Sequence, residues 1–188
     1  AGQPLYPDEV YYATYARQIL DAGLPSVEVM AMLTDKVNAG YVLINAALQK
    51  VGMGRLALVL FNAIVSATAV FPAWRLGQRV GLRGQALRWY VWSLSLYPDL
   101  IHWSAFNLKE GILLPLVLFT LHESVLLAER SVTVVRALKL VAGLAVLYTL
   151  RFYVAAIIGM VLAGILLVRS SLPGIVKLGI ASIAVLLG

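Results

Sequence analysis

Two adjacent carboxylates near the start of the chain, Asp8 and Glu9, are the residues whose types most clearly suggest chemistry. They lie among four tyrosines within ten residues, in a chain that is 61% hydrophobic and only 13% charged. A positioned carboxylate can act as a general base, which accelerates a reaction by about 10²- to 10⁴-fold. This patch is therefore the first candidate site, and Tyr11 and Tyr12 are candidate substrate contacts.

A second group of polar candidates lies in or beside later apolar runs. Lys109 and Glu110 precede one such run, and Arg151 lies between two others, where a charge is costly unless it reaches an interface or a partner. His102 and Asp99 are additional candidates for contacts with a substrate. The sequence thus offers carboxylates in one segment and cations in others, and the fold must bring them together.

Structural roles compete with each of these interpretations. Asp8 and Glu9 could cap a helix, where acids favour the positive end of the dipole. Lys109 and Glu110 could be an interfacial pair, and Arg151 could extend its charged end to the membrane surface. His102 could be an interfacial histidine, and the aromatic residues of 89–103 an aromatic belt. His122 and Glu123, which lie within a predicted span, are interpreted as a structural pair or a subunit contact.

Composition indicates the solvent in which the chain folds. The mean hydropathy is +0.88 over 188 residues. A soluble domain of this size could not bury so many apolar side chains, because its surface would be largely polar. We expect an all-α, polytopic transmembrane helical bundle. The chain has no cysteine, which removes disulfide and thiolate-metal chemistry. Its net charge of +6 is clustered between apolar runs, a pattern of membrane topology rather than of nucleic-acid binding.

The chain is predicted to form one domain with two parts. Residues 1–54 form an outer-face loop with interfacial amphipathic helices, the first starting at Pro7 with an apolar face of Val10, Ala13, Ala16 and Leu20. Residues 55–188 form about six spans, since each crossing needs roughly 20 residues. The predicted spans are 56–74, 89–106, 111–127, two within 137–168 divided at Arg151, and a truncated one from about 175.

Basic residues predict the orientation. Arg75, Arg79, Arg83 and Arg88 have no acid among them, so their loop is cytoplasmic, as are the basic segments 130–139 and 169–177. The segments around Asp8, Lys109 and Arg151 then lie on the outer face, periplasmic or extracellular, of a plasma (inner) membrane. The chain starts at Ala and stops within an apolar run, so we expect it to continue on both sides.

Three segments resemble one family. Asp8-Glu9 with the following YYATYARQILDAG is similar to the first-loop signature of GT-C-type, polyprenyl-phosphate-sugar glycosyltransferases, which include protein O-mannosyltransferase-like and aminoarabinose-transferase-like enzymes. Tyr97-Pro98 through Trp103-Ser104 to Asn107-Leu108-Lys109-Glu110 resembles the start of their second outer loop. Leu150-Arg151-Phe152-Tyr153 is a third, weaker similarity. The chain lacks the first span and the additional spans and soluble domain that many members carry.

The resemblance implies an enzyme that transfers a sugar from a lipid-phosphate donor. Asp8 or Glu9 would be the general base or help hold a divalent metal, and Lys109 and Arg151 would bind the donor phosphate. The implied partners are membrane lipid, the lipid-linked sugar and other membrane subunits, with no nucleic acid.

Physical chemistry is consistent with that implication. Glycosyl transfer develops positive charge on the sugar and negative charge on the departing phosphate, so it needs a carboxylate on one side and cations on the other. Two other functions remain open: a catalytically silent membrane subunit that scaffolds an envelope complex, and a transporter or flippase. In the transporter, Glu123 would be essential while Asp8 and Glu9 would not.

Overall fold

The computed structural model of this protein describes residues 7–22, 38–129 and 133–169. Within these ranges all regular structure is helical and no strand occurs, which confirms the predicted all-α class. The helices are α1 (Pro7–Ala22), α2 (Ala39–Lys50), α3 (Arg55–Ala67), α4 (Val70–Arg79), α5 (Gly84–Ser95), α6 (Pro98–Ser104), α7 (Glu110–Glu129), α8 (Val134–Leu150) and α9 (Phe152–Arg169).

Helix α7 is the centre of the packing. It contacts α3, α4, α6, α8 and α9, while α1 packs on α2 and α2 also contacts α8. The largest buried cluster joins α1 and α2 to the segment before α7 and to the end of α8, through Tyr12, Ile19, Tyr41, Leu108 and Leu150. The candidate residues therefore lie where four chain segments meet.

The first helix begins at Pro7, as predicted. Of its predicted apolar face, Val10 is 46% exposed, Ala13 and Leu20 are half-buried and Ala16 is buried. The side that packs on the protein also carries Glu9, Tyr12 and Ile19, which are buried. This helix packs on α2, and the aromatic ring of Tyr12 fills that contact.

Prolines divide two stretches that the sequence analysis treats as single spans. Pro72 has no N–H to donate to the carbonyl of Thr68, so the helix over 55–79 is interrupted by a turn at 68–69. Pro98 disfavours helical geometry at Tyr97, whose φ of −60° and ψ of 119° are extended. The expected span over 89–106 is consequently two short helices, α5 and α6.

The division at Arg151 agrees with the prediction from length. Arg151 is extended, with φ −154° and ψ 93°, and separates α8 from α9 without glycine or proline. Its N–H donates to the carbonyl of Leu147, and its own carbonyl accepts from the N–H groups of Val154 and Ala155. One residue thus closes one helix and opens the next.

Two helical paths in the described part of the chain are long and apolar enough to cross a membrane. They are Arg55–Arg79, which follows α3 and α4, and Glu110–Leu127 within α7. Phe152–Gly164 is apolar but shorter. The part of the predicted outer-face loop over 23–37 and the span predicted from about 175 lie outside the described residues.

Candidate functional site

The two adjacent acids at the start of α1 occupy different environments. Both lie in the first turn, where the helix dipole favours a carboxylate. Asp8 is exposed, whereas Glu9 is only 2% exposed. Because consecutive helical residues point about 100° apart, one acid faces a cavity and the other faces the protein interior.

Glu9 is held by groups from two distant segments. Its Oε2 lies 3.1 Å from Nη2 of Arg55, at the start of α3, and Oε1 accepts the N–H of Asn107 at 2.9 Å. A carboxylate with these partners is stabilised in its charged form and is not presented to a substrate. The structure therefore separates the two acids that the sequence treats as interchangeable and leaves Asp8 as the accessible one.

A network of amides and a tyrosine continues from this ion pair into the interior. The hydroxyl of Tyr41 donates to Asn107 Oδ1 and accepts from Asn62 Nδ2, each at 2.7 Å. Asn107 Nδ2 donates to Asn45 Oδ1 at 2.7 Å, and Asn45 Nδ2 donates to the carbonyl of Tyr41 at 3.0 Å. These four side chains are buried and join α2, α3 and the segment before α7.

Asn62 fixes that segment most directly. Its Nδ2 lies 2.9 Å from the carbonyl oxygen of Phe106 and 2.8 Å from that of Leu108. Asn45, Asn62 and Asn107 were not among the site residues expected from the sequence. For Asn45 and Asn62 a signal was present, because an asparagine inside an apolar helix is costly unless its amide is paired, whereas Asn107 lies between two helices. The network holds the segment that leads to Lys109 and Glu110.

Lys109 is turned toward the protein interior. Its side chain is mostly buried, its Nζ donates to Asn38 Oδ1 at 2.6 Å, and the ammonium lies 5.9 Å from the centre of the Tyr12 ring. Burial lowers the pKa of Lys109, and the neighbouring carboxylate of Glu110 partly opposes that shift. The ammonium adds positive potential beside Tyr12, while its hydrogen bond is directed to α2.

Arg151 and Glu110 meet at the ends of their helices. Nη2 of Arg151 donates to Glu110 Oε1, and Nη1 donates to the hydroxyl of Tyr153. The Nε of Arg151 is buried and has no hydrogen-bond acceptor among the described residues. The guanidinium therefore retains an unused donor.

A cavity of about 450 Å³ collects residues from four segments and is called the Asp8 cavity below. Its lining residues are Pro7, Asp8, Trp103, Leu108, Glu110 and Arg151. Three of the candidates chosen from the sequence, Asp8, Glu110 and Arg151, thus border one space, with carboxylates and a guanidinium beside apolar walls.

The tyrosine candidates are internal. The Tyr12 side chain is fully buried, and its hydroxyl has no hydrogen-bond partner among the described residues. Burial, followed by the carboxylates of Asp8 and Glu110, raises the pKa of Tyr12, so the hydroxyl stays protonated at neutral pH. Tyr11 is half-buried and packs its ring against Tyr12 and Tyr15.

The remaining candidates lie on or near α6. His102 is exposed and packs its ring edge against Trp103 and Phe106. Asp99 belongs to α6, but its side chain lies outside the described part of the structure. His102 can therefore support Trp103, which lines the Asp8 cavity.

The predicted metal ligands Asp8 and Glu9 do not converge. Glu9 is already paired with Arg55, and no group of three or more histidine, cysteine, aspartate or glutamate side chains comes together within residues 7–22, 38–129 and 133–169. The acids that border the Asp8 cavity are Asp8 and Glu110. Glu9 therefore does not fit as a ligand for an ion in that cavity.

His122 and Glu123 form a separate pair in α7. His122 Nδ1 lies 3.6 Å from Glu123 Oε1, and both side chains are buried. Twelve residues of helix, about 18 Å, separate His122 from Glu110. The pair does not belong to the Asp8 cavity.

Comparison with protein-family models, with curated proteins and with solved structures finds no match to this chain.

Proposed function

We propose that this chain is an integral-membrane glycosyltransferase of polytopic helical architecture that transfers a sugar from a polyprenyl-phosphate donor to an acceptor at the outer membrane face. One observation carries the proposal: Asp8 and Arg151, from opposite ends of the described chain, border the same cavity. The reaction requires that division between a proton acceptor and a cation that stabilises the leaving phosphate.

Asp8 is the general base in this proposal. The oxygen of the acceptor hydroxyl bonds to the anomeric carbon of the sugar, and its proton passes to the Asp8 carboxylate. The bond between that carbon and the phosphate oxygen breaks, and polyprenyl phosphate leaves with the bonding electrons. Arg151 stabilises the negative charge that grows on the phosphate.

A lipid-linked donor is favoured by a second, apolar cavity of about 210 Å³. Its walls include Ala63 and Ala67 of α3, Ile101 of α6 and Leu114 of α7. Leu114 lies one helical turn from Glu110, and Ile101 precedes Trp103 by two residues, so the same two helices border both cavities. In this proposal the phosphate and sugar lie in the Asp8 cavity, and part of the polyprenyl chain lies along the apolar cavity.

The test is sugar transfer in membranes supplied with a set of labelled polyprenyl-phosphate sugars. Asp8→Asn removes the base and is expected to reduce transfer by about 10²-fold or more while the protein still folds. Asp21→Asn is the matched control, because Asp21 is an exposed acid on the same helix and is not a cavity residue. No donor consumed by the parent protein, or full activity of Asp8→Asn, would contradict the proposal.

A transporter or flippase is the second candidate. The buried His122-Glu123 pair in a helix long enough to cross a membrane favours it, because ionisable groups at such depth commonly line a pathway. Glu123→Gln would then abolish function while Asp8→Asn would not. If neither variant changes any measured activity, a silent scaffold subunit is the remaining interpretation.

A further inference from the structure

Arg151 is a fixed cation on the wall of the Asp8 cavity. Its backbone is tied to α8 through Leu147 and to α9 through Val154 and Ala155, so the guanidinium is presented from a defined point. The hydroxyl of Tyr153 accepts a hydrogen bond from Nη1 of Arg151, and the centre of the Tyr153 ring lies 5.7 Å from the guanidinium carbon. Such a side chain can receive an anion without reorganising the surrounding backbone.

The present partner of Arg151 uses only part of the guanidinium. Glu110 engages Nη2, while the buried Nε has no acceptor among the described residues. Leaving a buried donor without a partner is unfavourable. A phosphate or a well-placed carboxylate accepts from two nitrogens at once, which is the geometry that suits a guanidinium best.

Glu110 is placed so that it can release Arg151 at little cost. It lies in the first turn of α7, where the helix dipole stabilises a carboxylate in the absence of any cation, and its side chain is partly exposed. Without Glu110, Arg151 would keep the neutral hydroxyl and the ring of Tyr153 but no carboxylate partner among the described residues. Glu110 therefore depends less on the ion pair than Arg151 does.

The charges of the cavity also require an exchange. With Glu110 on Arg151 the pair is neutral, and Asp8 adds a negative charge to the same wall. A ligand phosphate that entered without displacing Glu110 would face two carboxylates and a guanidinium whose Nη2 is already engaged. Repulsion of that kind in a partly buried site opposes binding.

We infer that Glu110 is a built-in competitor that holds the anion subsite of Arg151 until a phosphate-bearing ligand displaces it. This inference rests on the proposed function for the class of ligand and adds a regulatory contact to the same cavity. The exchange prevents other small anions from occupying Arg151, because each must also displace the carboxylate. Removing Glu110 should consequently strengthen anion binding, although it removes a residue that lines the site.

The experiment measures equilibrium binding of farnesyl phosphate, with farnesol as the uncharged control, to the full-length protein in detergent. Tryptophan fluorescence serves as the signal, since Trp103 lines the cavity. Glu110→Gln is expected to tighten farnesyl phosphate binding by about tenfold or more, and Arg151→Gln to lower it by at least that factor. Asp21→Asn should match the parent.

A double substitution isolates the coupling. In the Arg151→Gln background, Glu110→Gln should tighten binding much less than it does in the parent, because only the repulsion between the Glu110 carboxylate and the phosphate is then relieved. If Glu110→Gln does not fold, Glu110→Asp takes its place; its shorter side chain weakens the contact with Arg151, and a smaller change in the same direction is expected.

Weaker or unchanged binding by a folded Glu110 variant would overturn the inference and make Glu110 part of the binding wall. Equal binding of farnesol and farnesyl phosphate by the parent would also overturn it. The probe carries no sugar, so these outcomes are independent of glycosyl transfer. A failed transfer assay with tighter binding by Glu110→Gln would remove the proposed reaction and retain the exchange.

Discussion

Glu9 shows how much one buried carboxylate can organise. It joins the start of α1 to Arg55 of α3 and to the backbone of Asn107, three residues before Glu110. The distance between the two acids of the cavity wall, Asp8 and Glu110, is therefore set by a residue that touches neither the cavity nor a substrate.

Glu9→Gln should destabilise the protein. The amide loses the charge that pairs with Arg55, and we expect a cost of about 1–3 kcal/mol because Arg55 remains partly hydrated. Thermal unfolding of the purified protein in detergent measures it. Asp8→Asn, at the exposed neighbouring position, should leave the melting temperature almost unchanged. Equal melting temperatures for the parent and Glu9→Gln would show that the ion pair does not contribute to stability.

Asn62 offers a second test at this scale. Replacing it by leucine keeps the branched shape but removes the amide donor to the carbonyls of Phe106 and Leu108, of which Leu108 still accepts from the N–H of Gly111. We expect a loss of about 1–3 kcal/mol in the free energy of unfolding. Chemical denaturation provides the measurement, and Asn62→Leu as stable as the parent would mean that water replaces the amide.

Residue types alone identified part of the cavity. Asp8, Glu110 and Arg151 were recognisable because charges are rare in this apolar chain and each one needs a reason. The burial of Glu9 was not recognisable, since its partners Arg55 and Asn107 are far away in sequence. Only the packing of α1 on α2 determines which of two adjacent acids points inward.

At the scale of elements, small residues determine how closely the helices approach. A Cβ on Gly143 of α8 would lie 2.8 Å from Oγ1 of Thr120 on α7, closer than such atoms pack. That approach holds α8 against the central helix and brings Arg151 toward Glu110. The sequence shows the glycine but not the threonine that it meets.

Gly143→Ala should therefore destabilise the pair of helices by about 1–3 kcal/mol. Thr120→Ala removes the atom in conflict, so the double substitution Gly143→Ala with Thr120→Ala should recover part of that loss. Thermal unfolding of the four proteins in a double-mutant cycle measures the coupling. Strictly additive effects would contradict the contact.

The ends of the helices could be predicted from local sequence features more accurately than the spans could be predicted from hydropathy. Pro72 was expected from the sequence to kink or end the first span, and the helix is interrupted just before it. The break at Pro98, which disfavours helical geometry at Tyr97, was not expected from hydropathy. Arg151 was located correctly because the apolar stretch around it is too long for one crossing. Its extended geometry depends on contacts with α8 and α9 that no local pattern records.

At the scale of the whole molecule, we expect the Asp8 cavity and the arginine-rich turn between α4 and α5 to lie on opposite sides of a membrane. The chain has no cysteine, so single cysteines report sidedness without background. In intact cells, a membrane-impermeant maleimide should label Asp21→Cys, whereas Arg83→Cys should react only after permeabilisation. Labelling of both from outside would refute the predicted orientation.

The most direct measurement of the central claim is the release of polyprenyl phosphate from a polyprenyl-phosphate sugar by purified protein in lipid nanodiscs. The parent and Asp21→Asn should release one polyprenyl phosphate for each sugar transferred, and folded Asp8→Asn should be slower by about 10²-fold or more. A donor left intact by the parent, or equal rates for the parent and Asp8→Asn, would contradict the assignment of this cavity as a glycosyl-transfer site.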